Sequence, residues 1–566
     1  MTGFHKYASK MMFFLLPFFT IVLGAQDSLL NILSDELERE VIELSKQKDP
    51  PYYIDYRVDE IEYFSIRSSF GSLVENNSSK GRLLTATVRV GDYDFDNTHE
   101  FTGEFSNPYR NTPYSSHLPL DDEPDAIKQT IWRATDQAYK NALSSYTGLK
   151  NRKTGKETGP QLADFSPEKS NFYYEPPLAE NELEIDKSRW IERLKNYTLL
   201  FQKDSLIFHC EASLQFVISR KYFVSSENSK IVQNLTYTRL NFMASIKHES
   251  GNIYPLHKSY TTFRPYDLPD HESVLSDIDS LYNKLQQLKN APLAEPYAGP
   301  AILSPEASGV FFHEIFGHRI EGHRLEKISD AQTFKDKVNT RVLPKDFNVT
   351  SDPTLFNFKG QDLIGAYKYD DQGIEARKVH VVENGILKHF LMSRRPTMEF
   401  SNSSGHGRAQ AGHAPVSRQS NLIIESSNAL SNNDLRKQMI KECKRQNKKY
   451  GYYFKKVIGG LTVTDRYHTN MFNIKPVEVY RIYVDGRPDE LVSGVELIGT
   501  PLTMFSNIVS GSNEQKVFTG FCGAESGHVP VTAISPALFI RKIETQKTPE
   551  FKSKLPLLPS PDAEKK

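Results

Sequence analysis

Gly309-Val310-Phe311-Phe312-His313-Glu314-Ile315-Phe316-Gly317-His318-Arg319-Ile320-Glu321-Gly322-His323 packs three histidines and two glutamates into an otherwise apolar, helix-like run. Imidazole nitrogens suit zinc and similar ions, and a carboxylate directly after the first histidine stands where a metallohydrolase keeps its general base. His313 and His318 are five apart, not four as in H-E-x-x-H; on a regular helix, at about 100° per residue, that turns them roughly 140° from each other. A straight helix does not aim both at one ion. The segment is therefore expected to bend or widen by one residue, as in a π-bulge, with Gly317 absorbing the distortion. A lone histidine is ordinarily a core or surface residue, but so many polar groups in an apolar run are costly unless a shared partner such as a metal satisfies them.

The 566-residue chain is long enough for two or more domains, and its 38% hydrophobic content supplies large cores. Lys+Arg and Asp+Glu balance at 70 each, so there is no overall electrostatic footprint for nucleic acid, and the basic run at 441–449 reads as a solvated helix face. Residues 1–25 read as a signal peptide: Lys6 and Lys10 precede an apolar run interrupted by Pro17, and Gly24-Ala25 supplies small residues for cleavage near Gln26. A periplasmic or secreted protein with no stable membrane span after signal removal is expected; an uncleaved anchor is the alternative. Three cysteines are too few for a disulfide framework. Cys210 and Cys443 either pair or stay reduced in a core, which leaves Cys522 as a candidate ligand.

The expected fold class is α+β: a signal peptide (1–25), an N-terminal α+β domain (26–290), a largely β C-terminal domain carrying the metal-site helix (291–546), and a polar tail (547–566). Leu30, Leu33, Leu37, Val41 and Leu44 recur at helical spacing behind a cap at Asp27 or Ser28. Strands are expected at 61–68 and 83–90, a helix at 124–142, and a polar surface excursion at 150–177. A helix at 190–200, strands at 206–217, 222–226 and 235–247, and a helix at 273–288 complete the first half. A strand at 296–303 then leads into the His313 helix, after which the chain reads as almost entirely β. Asn384-Gly385 marks a type I′ hairpin within 379–392, and further strands are expected at 421–425, 477–484, 492–498 and 536–544.

Two more stretches look like sites. The glycine-rich loop Ser401-Asn402-Ser403-Ser404-Gly405-His406-Gly407-Arg408 permits close approach of backbone to a ligand, and His406 and Arg408 suit a carboxylate; the alternative is an ordinary loop. Phe521-Cys522-Gly523-Ala524 places a cysteine in a turn, where it can present a thiolate to a metal already held by histidines.

His313-Glu314-Ile315-Phe316-Gly317-His318 with Glu321-Gly322 resembles the H-E-x-x-x-H signature of the TldD/PmbA family, the modulator of DNA gyrase family of metallopeptidases. Asp370-Asp371-Gln372-Gly373 before the hairpin, the loop from Ser404 to Gln410, and the run containing Gly494, Gly499, Pro501, Cys522-Gly523 and Pro536 agree in order, so the resemblance spans about 297–543. It implies a TldD-like catalytic type: one zinc per chain held by His313, His318 and Cys522, with Glu314 as general base, and a homodimer or a heterodimer with a related chain enclosing the site. The implied activity is hydrolysis of small or unfolded peptides with broad sequence preference. His323 stands where many relatives carry an acidic residue, and the export signal departs from the cytoplasmic members of the family. The rival readings are a non-catalytic exported peptide-binding protein with a structural metal, and an amidase acting on modified peptides.

Overall fold

The structure is a computed structural model that describes residues 27–101, 113–152, 162–204, 206–248, 252–325, 330, 332–462, 464 and 472–548. The expected signal segment and all but the first two residues of the expected polar tail lie outside the described residues. Among those described, no helix is long and apolar enough to cross a membrane. The fold is α+β, built on a seven-stranded sheet drawn from residues 51–262 and an eleven-stranded sheet drawn from residues 297–547.

The first sheet is a run of long antiparallel ribbons. Pro51–Ser69 pairs with Ser72–Val90 on one side and Ile207–Ser225 on the other, and Lys230–Lys247 and Ile253–Thr262 continue the sheet. The hairpin between the first two turns at Phe70 and Gly71, both at positive φ. These ribbons correct the sequence reading in three places. The expected strands at 61–68 and 83–90 are only parts of 19-residue strands. The expected strands at 206–217 and 222–226 are one strand, because Arg220 and Lys221 sit within the ladder with their charges paired, to Asp27 and Asp371 respectively. The Ile253–Thr262 strand was not expected at all.

One face of this sheet is covered by helices. Side chains alternate in a strand, and Ile54, Tyr56 and Val58 pack with the helices Ser28–Leu44 and Pro124–Arg152, while Phe64 and Ile66 pack with Lys187–Leu199 and His271–Lys289. Asp27 caps the first helix, its carboxylate accepting from the Leu30 N–H at 3.1 Å. The apolar residues this helix buries are Leu29, Ile32, Leu33 and Leu37; of the expected stripe, Leu33 and Leu37 are among them and Leu30, Val41 and Leu44 pack against the same core half-buried.

The opposite face meets the C-terminal half through polar contacts. Arg57 donates to the carbonyls of Gln410 and His413, and Lys221 reaches Asp371 at 2.5 Å. The Asp370-Asp371 loop is thus a clasp between the two sheets. Neighbouring Asp370 accepts backbone N–H groups from Gln372, Ile374 and Gly407.

In the second sheet the pairings close on themselves. Tyr297–Leu303 pairs with Tyr450–Thr462, which pairs in turn with Phe472–Tyr483, then Val495–Gly499, then Gly527–Lys547, which returns to Tyr297–Leu303. Leu303, Tyr452, Phe472, Leu497 and Ile540 belong to the large core of this half, into which the Pro305–Ile315 helix inserts Phe311 and Phe312. The Asn384-Gly385 turn is present, with both residues at positive φ, between the short strands Val379–Glu383 and Ile386–Leu387. The expectation that this half is almost entirely β misses the helix Asn432–Arg445, which buries Leu435, Met439 and Cys443. Cys210 and Cys443 are both buried and unpaired.

Candidate metal centre

The Pro305–Ile315 helix starts with Ser304 accepting the Ala307 N–H at 3.1 Å and with Pro305 in its first turn, where a missing N–H costs nothing. It ends at Ile315, and a separate 3₁₀ turn, Gly317–Ile320, carries His318. The five-residue spacing is therefore accommodated by a helix end followed by a tighter turn, not by the expected π-bulge. Gly317 is needed for space, not for an unusual φ: a Cβ there would stand 1.8 Å from Gln419 Oε1. Arg319 satisfies the helix end, donating to the carbonyls of Glu314 at 2.8 Å and Ile315 at 3.4 Å and to Thr462 Oγ1 at 2.8 Å.

Cys522 arrives from the far end of the sequence on the Ile508–Ala524 strand. Its Sγ lies 3.3 Å from His318 Nε2, and the ligand atoms of His313, His318 and Cys522 all lie within 4.8 Å of one another. All three side chains are buried. Zn–N bonds near 2.0–2.1 Å and a Zn–S bond near 2.3 Å imply donor separations of roughly 3.3–3.8 Å around a tetrahedral ion. The Cys522–His318 pair is at that separation already. Two imidazoles and a thiolate form a donor set suited to zinc, and three protein donors are the number found where a metal keeps a position open to substrate.

The electrostatics point the same way. Burial alone pushes the Cys522 thiol up, but His318 and His313 beside it outweigh that and hold it well below the usual thiol range. Burial disfavours a charged His318, yet Cys522 and Glu321 raise it to about 10. The pocket thus stabilises a thiolate, the form of cysteine that binds metals.

Glu314 lines the same cleft, of about 280 Å³, with His313, His318, Thr462 and Cys522. Gly460 also lines this cleft and approaches Glu314 so closely that a Cβ there would stand 2.4 Å from Glu314 Cγ. Glu321, fully buried, touches His318 Nδ1 at 3.3 Å and Arg324 Nε at 2.9 Å.

Residues 296–547 match the family described as PmbA/TldA metallopeptidase C-terminal domain. That C-terminal part of the chain is similar to the TldD/PmbA family. The chain is 27% identical over 351 residues to a metalloprotease of Methanocaldococcus jannaschii, covering 62% of this chain and 71% of the relative. It is 25% identical over 360 residues to a zinc metalloprotease TldD homolog of Saccharolobus solfataricus, again covering 62% and 71%. Its fold resembles that of TldE from Thermococcus kodakarensis with a TM-score of 0.60 at 14% identity, over 92% of this chain and all of that one.

The other candidates fall elsewhere. His406 is fully buried, its ring nitrogens against Ser351 Oγ at 3.0 Å and Ser404 Oγ at 3.1 Å. Arg408 donates to the carbonyls of Gln419 and Pro530 and lies against the Tyr367 ring. Neither lines the metal cleft; the hydrogen bonds that hold their loop occupy the groups assigned to substrate. His323 directs Nε2 to Glu525 Oε1 at 2.6 Å and stands outside the three-ligand group. Arg319, Gln419 and Gly460 were not singled out by the sequence. Their roles depend on contacts across more than 100 residues, apart from Arg319, whose position in the motif was its only local signal.

Proposed function

We propose that the chain is an exported zinc-dependent peptidase, with one zinc held by His313, His318 and Cys522 and with Glu314 as general base. The observation that carries this reading is the convergence of three buried donors from two distant segments beside a carboxylate that shares their cleft. Zinc, when bound, supplies Lewis-acid polarisation of the scissile carbonyl and acidifies water. Glu314 accepts the proton of the attacking water and passes it to the leaving amine. Glu321 fixes the His318 ring by accepting from Nδ1, leaving Nε2 for the ligand side.

Two strand edges flank the cleft. Among the described residues, 455–462 pair only with Phe472–Tyr483, and 518–524 pair only with Gly527–Lys547. An extended peptide lying between them gains backbone hydrogen bonds regardless of its side chains, which fits broad preference for small or unfolded peptides. Pairing with a second copy or a related chain extends this reading, and light scattering of the purified protein tests it.

A binding protein with a purely structural metal is the rival. A structural zinc site takes four protein ligands, and the donor group here has three among the described residues. The deciding experiment is metal analysis combined with peptide hydrolysis. His313→Ala, His318→Ala and Cys522→Ala each lose zinc, while Glu314→Gln keeps zinc and loses about 10²–10⁴-fold in hydrolysis. A Glu314→Gln variant within about twofold of wild type rejects the base assignment. Zinc retained by Cys522→Ala but lost by His323→Ala would reassign the third ligand.

A further inference from the structure

The face of the seven-stranded sheet that meets the C-terminal half encloses with that half a second opening, a groove of about 520 Å³, with Glu182 of the short helix Glu180–Leu183 in its lining. Its middle is apolar: Ile61, Val217 and Leu235 on one wall, Phe356, Ile364 and Val529 on the other. The cations around it are already paired within the protein. Lys221 is held by Asp59 and Asp371, Arg264 by Glu182, and Arg408 by two backbone carbonyls. With those cations satisfied, the groove offers a ligand mainly its apolar lining, beside polar groups such as Asn234, Asp267 and His528, in a volume typical of binding pockets. The metal cleft is the reverse, small and lined mainly by polar and ionisable groups.

Phe521 lines both openings. Successive side chains of a strand point to opposite faces; Cys522 turns toward His318, and Phe521 turns toward the seven-stranded sheet. There its ring stands 5.2 Å from that of Tyr237, with the Arg239 guanidinium 5.6 Å from its centre. The residue next to the third metal ligand is thus the wall that the reaction cleft shares with the apolar groove.

We propose that the groove is a specificity subsite for large apolar side chains, aromatic or branched aliphatic, of an extended peptide whose scissile bond lies in the metal cleft. This rests on the peptidase reading and narrows it. Backbone pairing at the strand edges accepts many sequences, and the groove favours those with a bulky apolar residue near the cleaved bond. Unfolded and fragmented proteins expose such residues; folded surfaces bury them.

The test separates binding from cleavage. Zinc-loaded, full-length Glu314→Gln protein is titrated with two fluorescein-labelled hexapeptides, one with two adjacent phenylalanines and one with serines in their place, and affinity is read by fluorescence anisotropy. The phenylalanine peptide is expected to bind about tenfold tighter or more, the effect of burying one large apolar side chain. Leu235→Ser and Ile61→Ser, each added to Glu314→Gln and checked for folding by circular dichroism, are expected to bring the two affinities together. Equal affinities before these changes, or a preference that survives in both variants, overturns the subsite. The same peptides are given to the wild-type enzyme. Selective binding without cleavage overturns the peptidase reading and upholds the groove; cleavage at equal rates without selective binding does the opposite.

Discussion

Glu321 Oε2 lies 3.3 Å from Nδ1 of His318, on the opposite side of the ring from the 3.3 Å contact between Nε2 and Cys522. Burial alone would raise the Glu321 pKa, yet His318 and Arg324 hold it at about 2, so the carboxylate is charged at neutral pH. A carboxylate behind a ligating imidazole sets its tautomer and raises its basicity. Glu321→Gln is expected to weaken zinc binding by about 10–100-fold, read by competition with a chelator. Unchanged affinity in a folded variant would mean that the ring is held by packing alone.

The second prediction concerns the turn between the two histidines. A Cβ at residue 317 would lie 1.8 Å from Gln419 Oε1, and Gln419 Nε2 is 3.4 Å from the carbonyl of His313. Gly317→Ala is expected to displace either Gln419 or His318, costing about 1–3 kcal/mol by overpacking and reducing the zinc content of the purified protein. Adding Gln419→Ala should restore zinc, because it removes the clashing atom. If zinc is lost equally in the double variant, the turn itself and not the glutamine requires glycine.

These two contacts also mark what the sequence makes legible. The His313–His318 motif is local, and its abnormal spacing alone demanded a distortion; only its form, a helix end and 3₁₀ turn, needed the structure. Cys522 is 204 residues from His318; the cysteine count and its Cys-Gly setting make it a candidate, but only the family resemblance joins it to the two histidines, because no local pattern brings the Ile508–Ala524 strand to the helix. Long strands were read short wherever polar residues occupy them. Residues 73–81 are mostly exposed, so the Ser72–Val90 strand has an alternating apolar pattern only at its far end. His406 looked like a binding residue beside glycines, but its polar partners are serines within the fold.

Asp370 gives a prediction in pH. Burial raises its pKa to about 7 against the three backbone N–H groups that favour the anion. A carboxyl whose folded pKa exceeds its unfolded value near 3.8 contributes stability that is fully present below about 3.8 and lost as pH rises through about 7. Between pH 4 and 8 the wild type should therefore lose roughly 1–4 kcal/mol at this site, read from urea midpoints. Asp370→Asn should remove that component of the slope. If the slope is the same in both proteins, the three N–H groups win over burial and Asp370 is ionised throughout.

The last prediction separates the position of the base from the metal. Gly460, which lines the same cleft, lies against Glu314 on the Tyr450–Thr462 strand, where a Cβ would meet Glu314 Cγ at 2.4 Å and Oε1 at 2.9 Å. The proposed ligands do not depend on that space, since His313 and His318 stand on the helix and turn and Cys522 on a different strand. Gly460→Ala should therefore keep its zinc while displacing the Glu314 carboxylate from its position. A displacement of about 1 Å at a catalytic group can cost up to about 10²-fold in rate, so kcat should fall by roughly that order while metal content stays at the wild-type level. Gly317→Ala is the mirror case, losing metal first and activity as a consequence. If Gly460→Ala retains full kcat with Glu314→Gln inactive, the carboxylate has room to retreat, and the close approach of the strand is a packing feature. If it loses zinc as well, Glu314 belongs among the ligands, and the separation of base from metal site fails.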